Sequence, residues 1–248
     1  MSIIAVYSIK GGVGKTATSV NLSYLSARDG ARTLLCDLDP QGSASYYFRI
    51  RSPKKFNARK FLKGGRHVAE NIRGTDYSGL ELLPADFSYR TIDIALDDLK
   101  KSQQRLLKVL EPLRREYDRI VLDCPPSATL LAENVFFAAD IILVPIIPTT
   151  LSLVSLKKLF KFLDKNGQSR KKALLFFSMV ERRKKMHTEI MAAMADCPGV
   201  LSGSIPYLAD VERMGVYRQP VPAALPSSSA SAAYEALWKD VQKQMGEE

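Results

Sequence analysis

The sequence predicts a doubly wound α/β domain: a mostly parallel sheet with helices on both faces, formed by residues 1–248 as one unit. Three observations predict it. Apolar runs of strand length alternate with helix-compatible stretches along the chain, the pattern of repeated βαβ units. Those runs are continuously apolar rather than alternating, as strands covered on both faces must be. A glycine-rich turn, Lys10-Gly11-Gly12-Val13-Gly14-Lys15-Thr16, separates the first run from the first helical stretch. That is where such a fold places a phosphate-binding loop, with backbone N–H groups and a helix N-terminus facing an anion.

The elements follow in order. Ile3-Ile4-Ala5-Val6-Tyr7 is the first strand, and residues 17–28 form the helix after the loop. Apolar runs at 34–38, 80–83, 120–122, 141–144 and 174–180 read as further buried strands. Residues 102–117, 130–139, 151–164 and 188–195 read as helices between them. Residues 50–66 are basic and glycine-containing with little apolar periodicity, which predicts a loop or short helix on the surface. Ser227-Ser228-Ser229 reads as a cap before a last helix. In that helix Tyr234, Leu237, Trp238, Val241 and Met245 recur at helical spacing and form one apolar stripe, expected to pack on the sheet. There is no internal repeat.

Bulk properties narrow the partners. A chain of 248 residues with 46% hydrophobic and 25% charged residues suits one ordinary globular core. No apolar run approaches the ~18 residues a bilayer requires, and the N-terminus lacks a signal-peptide pattern, so the expected compartment is the cytoplasm. Cys36, Cys124 and Cys197 are an odd number at unrelated spacings and suggest neither a disulfide framework nor a metal cluster. The formal charge of +10 favours phosphate-bearing or acidic partners: nucleic acid, an anionic membrane surface or an acidic protein. Much of it comes from residues 50–66, from Arg170-Lys171-Lys172 and from Arg182-Arg183-Lys184-Lys185.

The glycine turn carries the chemistry. Gly11, Gly12, Val13, Gly14, Lys15, Thr16 and Ala17 would wrap a nucleotide's phosphates. Lys15 would reach the β- and γ-phosphates and the Thr16 hydroxyl would join a Mg²⁺ shell. Lys10 stands at the front of the loop, where the ordinary pattern demands no lysine.

With lysine at both ends, the loop resembles the deviant Walker A form of the ParA/MinD family of dimerising ATPases. Leu34-Leu35-Cys36-Asp37-Leu38-Asp39-Pro40-Gln41-Gly42 resembles the family's second motif. Ile120-Val121-Leu122-Asp123-Cys124-Pro125-Pro126-Ser127 is similar to its Walker B strand and following turn. Val144-Pro145-Ile146-Ile147-Pro148-Thr149 and Ile205-Pro206 fall where the family places strand-end loops. The likeness runs from Ser2 to about Val241, and Pro40-Gln41-Gly42 favours the ParA branch over MinD.

This resemblance implies a P-loop NTPase fold of the deviant Walker A class, with ATP and Mg²⁺ as cofactors. It implies that Asp123 holds the metal directly or through water, that Asp37 supports the Mg²⁺ shell, and that Asp39 orients the attacking water. Lys10 would cross a dimer interface to the phosphates of the other subunit. Such a contact resembles an arginine finger, a class worth ~10³–10⁵ in rate. Pro206 resembles the family's proline beside the adenine.

Arg183, preceded by Arg182, falls where ParA proteins carry an arginine that contacts DNA phosphates. The family's second such arginine is replaced by Asp210, with Arg213 and Arg218 nearby. Arg182, Arg183, Arg213 and Arg218 are therefore the candidate DNA contacts, for binding that is sequence-independent and salt-sensitive. No helix-turn-helix precedes the first strand, so operator recognition is not expected.

The implied function is an ATP-dependent homodimer that binds non-specific DNA and segregates or positions a plasmid, chromosome or protein assembly. Hydrolysis, stimulated by a ParB-like or cargo-adaptor protein, would reset it, and it would associate with the nucleoid. Two alternatives stay open. One is a MinD-like ATPase at a membrane, although the last helix ends in Gly246-Glu247-Glu248 rather than in basic residues. The other is a nucleotide-gated adaptor that binds only protein partners.

Overall fold

The computed structural model describes residues 1–100 and 102–246. Eight strands form one sheet: β1 (Ser2–Val6), β2 (Thr33–Asp37), β3 (Arg73–Gly74), β4 (Leu80–Leu83), β5 (Arg119–Asp123), β6 (Ile141–Ile146), β7 (Ala173–Val180) and β8 (Val200–Pro206). Their order across the sheet is β3-β4-β2-β5-β1-β6-β7-β8. Every neighbouring pair is parallel except β3–β4 at the edge. The order runs outward both ways from the centre, as in a doubly wound sheet.

Alternation along each strand divides the core in two. Ile3, Ala5, Leu34, Cys36, Ile120 and Leu122 face one layer, built from the Leu130–Ala138 and Thr150–Lys165 helices and the segments between β2 and β5. Ile4, Val6, Leu35 and Val121 face the other, covered by the Lys15–Arg28 and Ser229–Gln244 helices. The expected stripe of the last helix is buried at Tyr234, Leu237, Trp238 and Val241. Gly203 of β8 admits that helix so closely that a Cβ there would lie 2.9 Å from the Leu237 Cα. Ser228 caps the helix by accepting the Ser231 N–H, and Trp238 donates to Asp29 at 2.7 Å.

One expectation is corrected, and two elements show more than the sequence did. Residues 102–117 are not one helix but a 3₁₀ turn (Ser102–Gln104), a short α-helix (Arg105–Leu110) and a second 3₁₀ turn (Glu111–Arg115). Pro112, which has no N–H to donate and crowds the preceding turn, ends the α-helical part. Residues 50–66 contain the expected short helix, Ala58–Lys63, capped by Asn57, and its inner side enters the core. Phe56, Ala58, Phe61 and Leu62 are buried, and Phe61 packs on Tyr89 with ring centroids 5.3 Å apart. β8 is legible in the sequence only in its final Ile205-Pro206, because Ser202, Gly203 and Ser204 interrupt the apolar run.

Candidate nucleotide site

Register brings the chemistry together. Val6 of β1 and Asp37 of β2 both pair with Asp123 of β5, so the phosphate loop and both aspartate motifs leave the same edge side by side. In the loop, Gly12 (φ +68°) and Gly14 (φ +88°) hold left-handed backbone that other residues adopt at a cost. A Cβ on Gly14 would also meet the Ser178 Oγ at 3.0 Å. Gly11 differs: its Cβ would have only the Pro126 side chain at 4.0 Å nearby, so the chain itself does not require glycine there.

Gly14 is the N-cap of the Lys15–Arg28 helix, and no side chain caps it. The first-turn N–H groups of Lys15, Thr16 and Ala17 are left to an external acceptor, at the positive end of the helix dipole. Lys15 is 7% exposed, and its ammonium bridges the loop to the Lys10 carbonyl at 3.3 Å. Burial pulls its pKa down, while Asp123, Cys124 and Asp39 oppose that shift. Val13 is buried, whereas Lys10, Thr16 and Ala17 are half-buried.

The carboxylates are held differently. Asp123 is fully buried. Its Oδ1 accepts the Ser19 hydroxyl at 2.9 Å, and its Oδ2 has no hydrogen-bond partner. Burial, then the nearby Asp37 charge, push its pKa well above the usual carboxylate range against Ser19, Thr16 and Lys15. Asp37, 1% exposed, accepts the Ser45 N–H and hydroxyl on Oδ2 at 2.8 and 2.7 Å. Its Oδ1 accepts the Asp39 N–H at 3.3 Å. Burial raises its pKa too. Asp39 is half-buried at the rim, with Oδ1 accepting the Gln41 N–H at 2.9 Å.

These groups fit a metal-bound nucleotide. An unpartnered buried carboxylate oxygen beside a lysine and an uncapped helix N-terminus suits Mg²⁺ carried by phosphates. Among the described residues no group of three or more His, Cys, Asp or Glu could hold a metal unaided. Phosphate oxygens would have to complete such a shell.

The remaining candidates lie elsewhere on the edge. Pro206 ends β8 opposite Val180, three strands from β1 in the sheet order. Arg182 and Arg183 are exposed in the turn after β7. The Tyr207 N–H bonds the Val180 carbonyl at 3.0 Å, so the segments carrying Arg182–Arg183 and Arg213–Arg218 start together. Arg213 is exposed, its guanidinium 5.8 Å from the Tyr217 ring centroid. Arg218 is tethered: its Nε donates to the Tyr46 carbonyl at 3.1 Å, and its guanidinium stacks 4.4 Å from the Tyr46 ring centroid. Asp210 sits half-buried in the Ala209–Glu212 turn of helix.

The sequence reading missed Ser19 and Ser45. Ser19 follows Lys15 by four residues, one helical turn along the same face, so its proximity was readable. Ser45 had no such signal, since only the fold returns it to Asp37.

Known proteins resemble the chain in sequence and in fold. A family model described as an AAA domain matches residues 1–176. Chromosome partitioning protein ParA of Caulobacter vibrioides is 31% identical over 197 residues, 77% of this chain and 74% of that protein. An uncharacterised Pseudomonas putida protein is 34% identical over 144 residues, 58% of this chain. The chain spans 55% of that relative's length. The crystal structure of a plasmid partition protein of Borrelia burgdorferi bound to AMPPNP superposes with a TM-score of 0.86 at 23% identity. It covers 98% of this chain and 99% of that one, which shows a shared fold.

Proposed function

The chain belongs to the ParA family of P-loop ATPases, and from that premise we propose that it is an ATP-gated dimer that binds DNA without sequence preference and positions a cargo. The observation that carries the reading is the edge shared by the two-lysine loop, Asp39 and the half-partnered Asp123. Phosphoryl transfer to water calls for positioning and charge neutralisation rather than covalent help from the protein. Lys15 and the first-turn N–H groups hold the phosphates. Thr16 and Asp123 would hold Mg²⁺, which when bound neutralises phosphate charge. Asp39, at the rim, orients the water. Lys10 sits half-buried at the loop's front and reaches a partner subunit's phosphates, so that ATP forms part of the dimer interface and its hydrolysis loosens it. A protein partner speeds that step.

Support for DNA comes from the exposed Arg182, Arg183 and Arg213 on adjoining segments and from the net charge of +10. The membrane alternative draws no support from the last helix, whose apolar stripe is buried against the sheet. Among the described residues no helix is long and apolar enough to cross a membrane.

The test is binding of Asp39→Ala to a random-sequence duplex with ATP or ADP across a salt series. ATP-dependent binding should weaken with salt, with a logarithmic slope of about −0.9 per phosphate contacted. ATP-dependent dimers that bind no DNA would overturn the DNA part and leave an adaptor that works through proteins.

A further inference from the structure

We propose that two buried serines, Ser19 and Ser45, are positioning residues that assign the two buried aspartates separate jobs. Ser19 aims Asp123 at the metal; Ser45 makes Asp37 the anchor of the Asp39 loop rather than a metal ligand. The proposal rests on the ATPase reading above and departs from the Mg²⁺ role that resemblance implies for Asp37.

The two carboxylates differ in what they have left to offer. A carboxylate has about four acceptor positions. Asp37 uses three on protein donors, with both oxygens engaged: the Ser45 N–H, the Ser45 hydroxyl and the Asp39 N–H. Ser45 is itself held, because its Oγ accepts the Ala85 N–H at 3.1 Å, which ties the turn after β2 to the chain after β4. The closed turn from Asp37 to Ser45 contains Asp39, whose carbonyl accepts the Gly42 N–H at 2.9 Å. Asp37 thus fixes where Asp39 stands.

Asp123 has its Oδ1 on Ser19 and nothing on Oδ2. Ser19 is fully buried on the helix that starts at Lys15, and its Oγ also lies 3.1 Å from the Lys15 carbonyl. The helix that presents the phosphate-binding N–H groups therefore also sets the Asp123 rotamer. A buried oxygen without a partner is costly, and a bound cation removes that cost.

The two roles predict opposite signatures, read with the full chain and a fluorescent ATP analogue, first in EDTA and then through a Mg²⁺ titration. Ser19→Ala should leave metal-free nucleotide affinity unchanged and raise the Mg²⁺ midpoint roughly 10–100-fold, the usual effect of removing a residue that orients a metal ligand. Ser45→Ala should leave the Mg²⁺ midpoint in place and lower kcat with KM unchanged. Ser19→Cys and Ser45→Cys, near-isosteric with weaker donors, should shift the same quantities less and serve where an alanine variant does not fold. An unmoved Mg²⁺ midpoint in the Ser19 variants would overturn the first assignment. A midpoint raised by the Ser45 variants would overturn the second and return Asp37 to the metal shell. Failure of the wild-type chain to bind the analogue would instead sink the ATPase reading.

Discussion

The buried acid pair makes the metal-free protein sensitive to pH in an unusual direction. Burial and the neighbouring Asp37 raise the Asp123 pKa above the ordinary ~3.9. A carboxyl whose pKa rises on folding contributes stability that is complete below the unfolded value and is lost as pH climbs through the folded one. One proton held in this way weakens the fold by ~1.4 kcal/mol per pH unit across that window. For a chain of 248 residues, that is about 3–6 °C of Tm per pH unit. Asp123→Asn abolishes the titration while an amide oxygen still accepts from Ser19, and its amide nitrogen adds only a pH-independent offset. Asp37, also raised by burial, titrates with Asp123 as a pair, so the variant keeps the part due to Asp37. The assay is unfolding of nucleotide-free protein in EDTA between pH 5 and 7.5, read as the wild-type trend minus the variant's. The wild type should lose ground steadily. Parallel trends would show that Asp123 is already charged at the lower pH and refute the reasoning. Saturating Mg²⁺ and nucleotide should flatten the wild-type trend, because a cation favours the charged carboxylate.

Lys15→Ala should abolish nucleotide binding in equilibrium dialysis; tight binding would remove the loop from the site. Gly14→Ala should cost about 1–2 kcal/mol for the left-handed backbone alone, plus the Ser178 contact, seen as a lower denaturation midpoint. Phe61→Ala should cost about 3–5 kcal/mol, whereas exposed Arg59 on the same helix should tolerate alanine within about 0.5 kcal/mol; chemical denaturation distinguishes them. Arg183→Glu should weaken binding to random duplex without changing ATP affinity, and an unchanged DNA titration would place the surface elsewhere.

The central strands and the phosphate loop were legible because their signals are local. A fully covered strand is a continuous apolar run, and a glycine loop between strand and helix needs no distant partner to be recognised. The buried side of residues 50–66 was not legible because Phe56, Phe61 and Leu62 are too few to establish a period among the lysines and arginines, yet they suffice to anchor a six-residue helix. The Arg73–Gly74 strand has no signal of its own, since it exists through its antiparallel pairing with β4. Around the site, Lys15, Asp37, Asp39 and Asp123 announced themselves by motif. The tethering of Arg218 to Tyr46 did not, because it joins residues 172 apart in sequence.

What marks this edge physically is a broken rule. Ionised side chains avoid the interior unless paired. Among the described residues, Lys15, Asp37 and Asp123 are the only buried lysines, arginines, aspartates and glutamates. All three sit where β1, β2 and β5 end in register. Register alone forces the crowding, since pairing Asp123 with Val6 and Asp37 aligns two carboxylates on neighbouring strands beside the loop lysine. A sheet selected only for stability would place apolar groups there, as it does one residue earlier with Ala5, Leu122 and Cys36. Two carboxyls in a dry place favour the arrival of a cation, which takes the place of the proton that burial holds there. The lysine and the uncapped helix N-terminus favour the phosphates that bring it. The same arrangement that weakens the empty fold as pH rises is therefore the one that supplies binding energy for a metal–nucleotide complex.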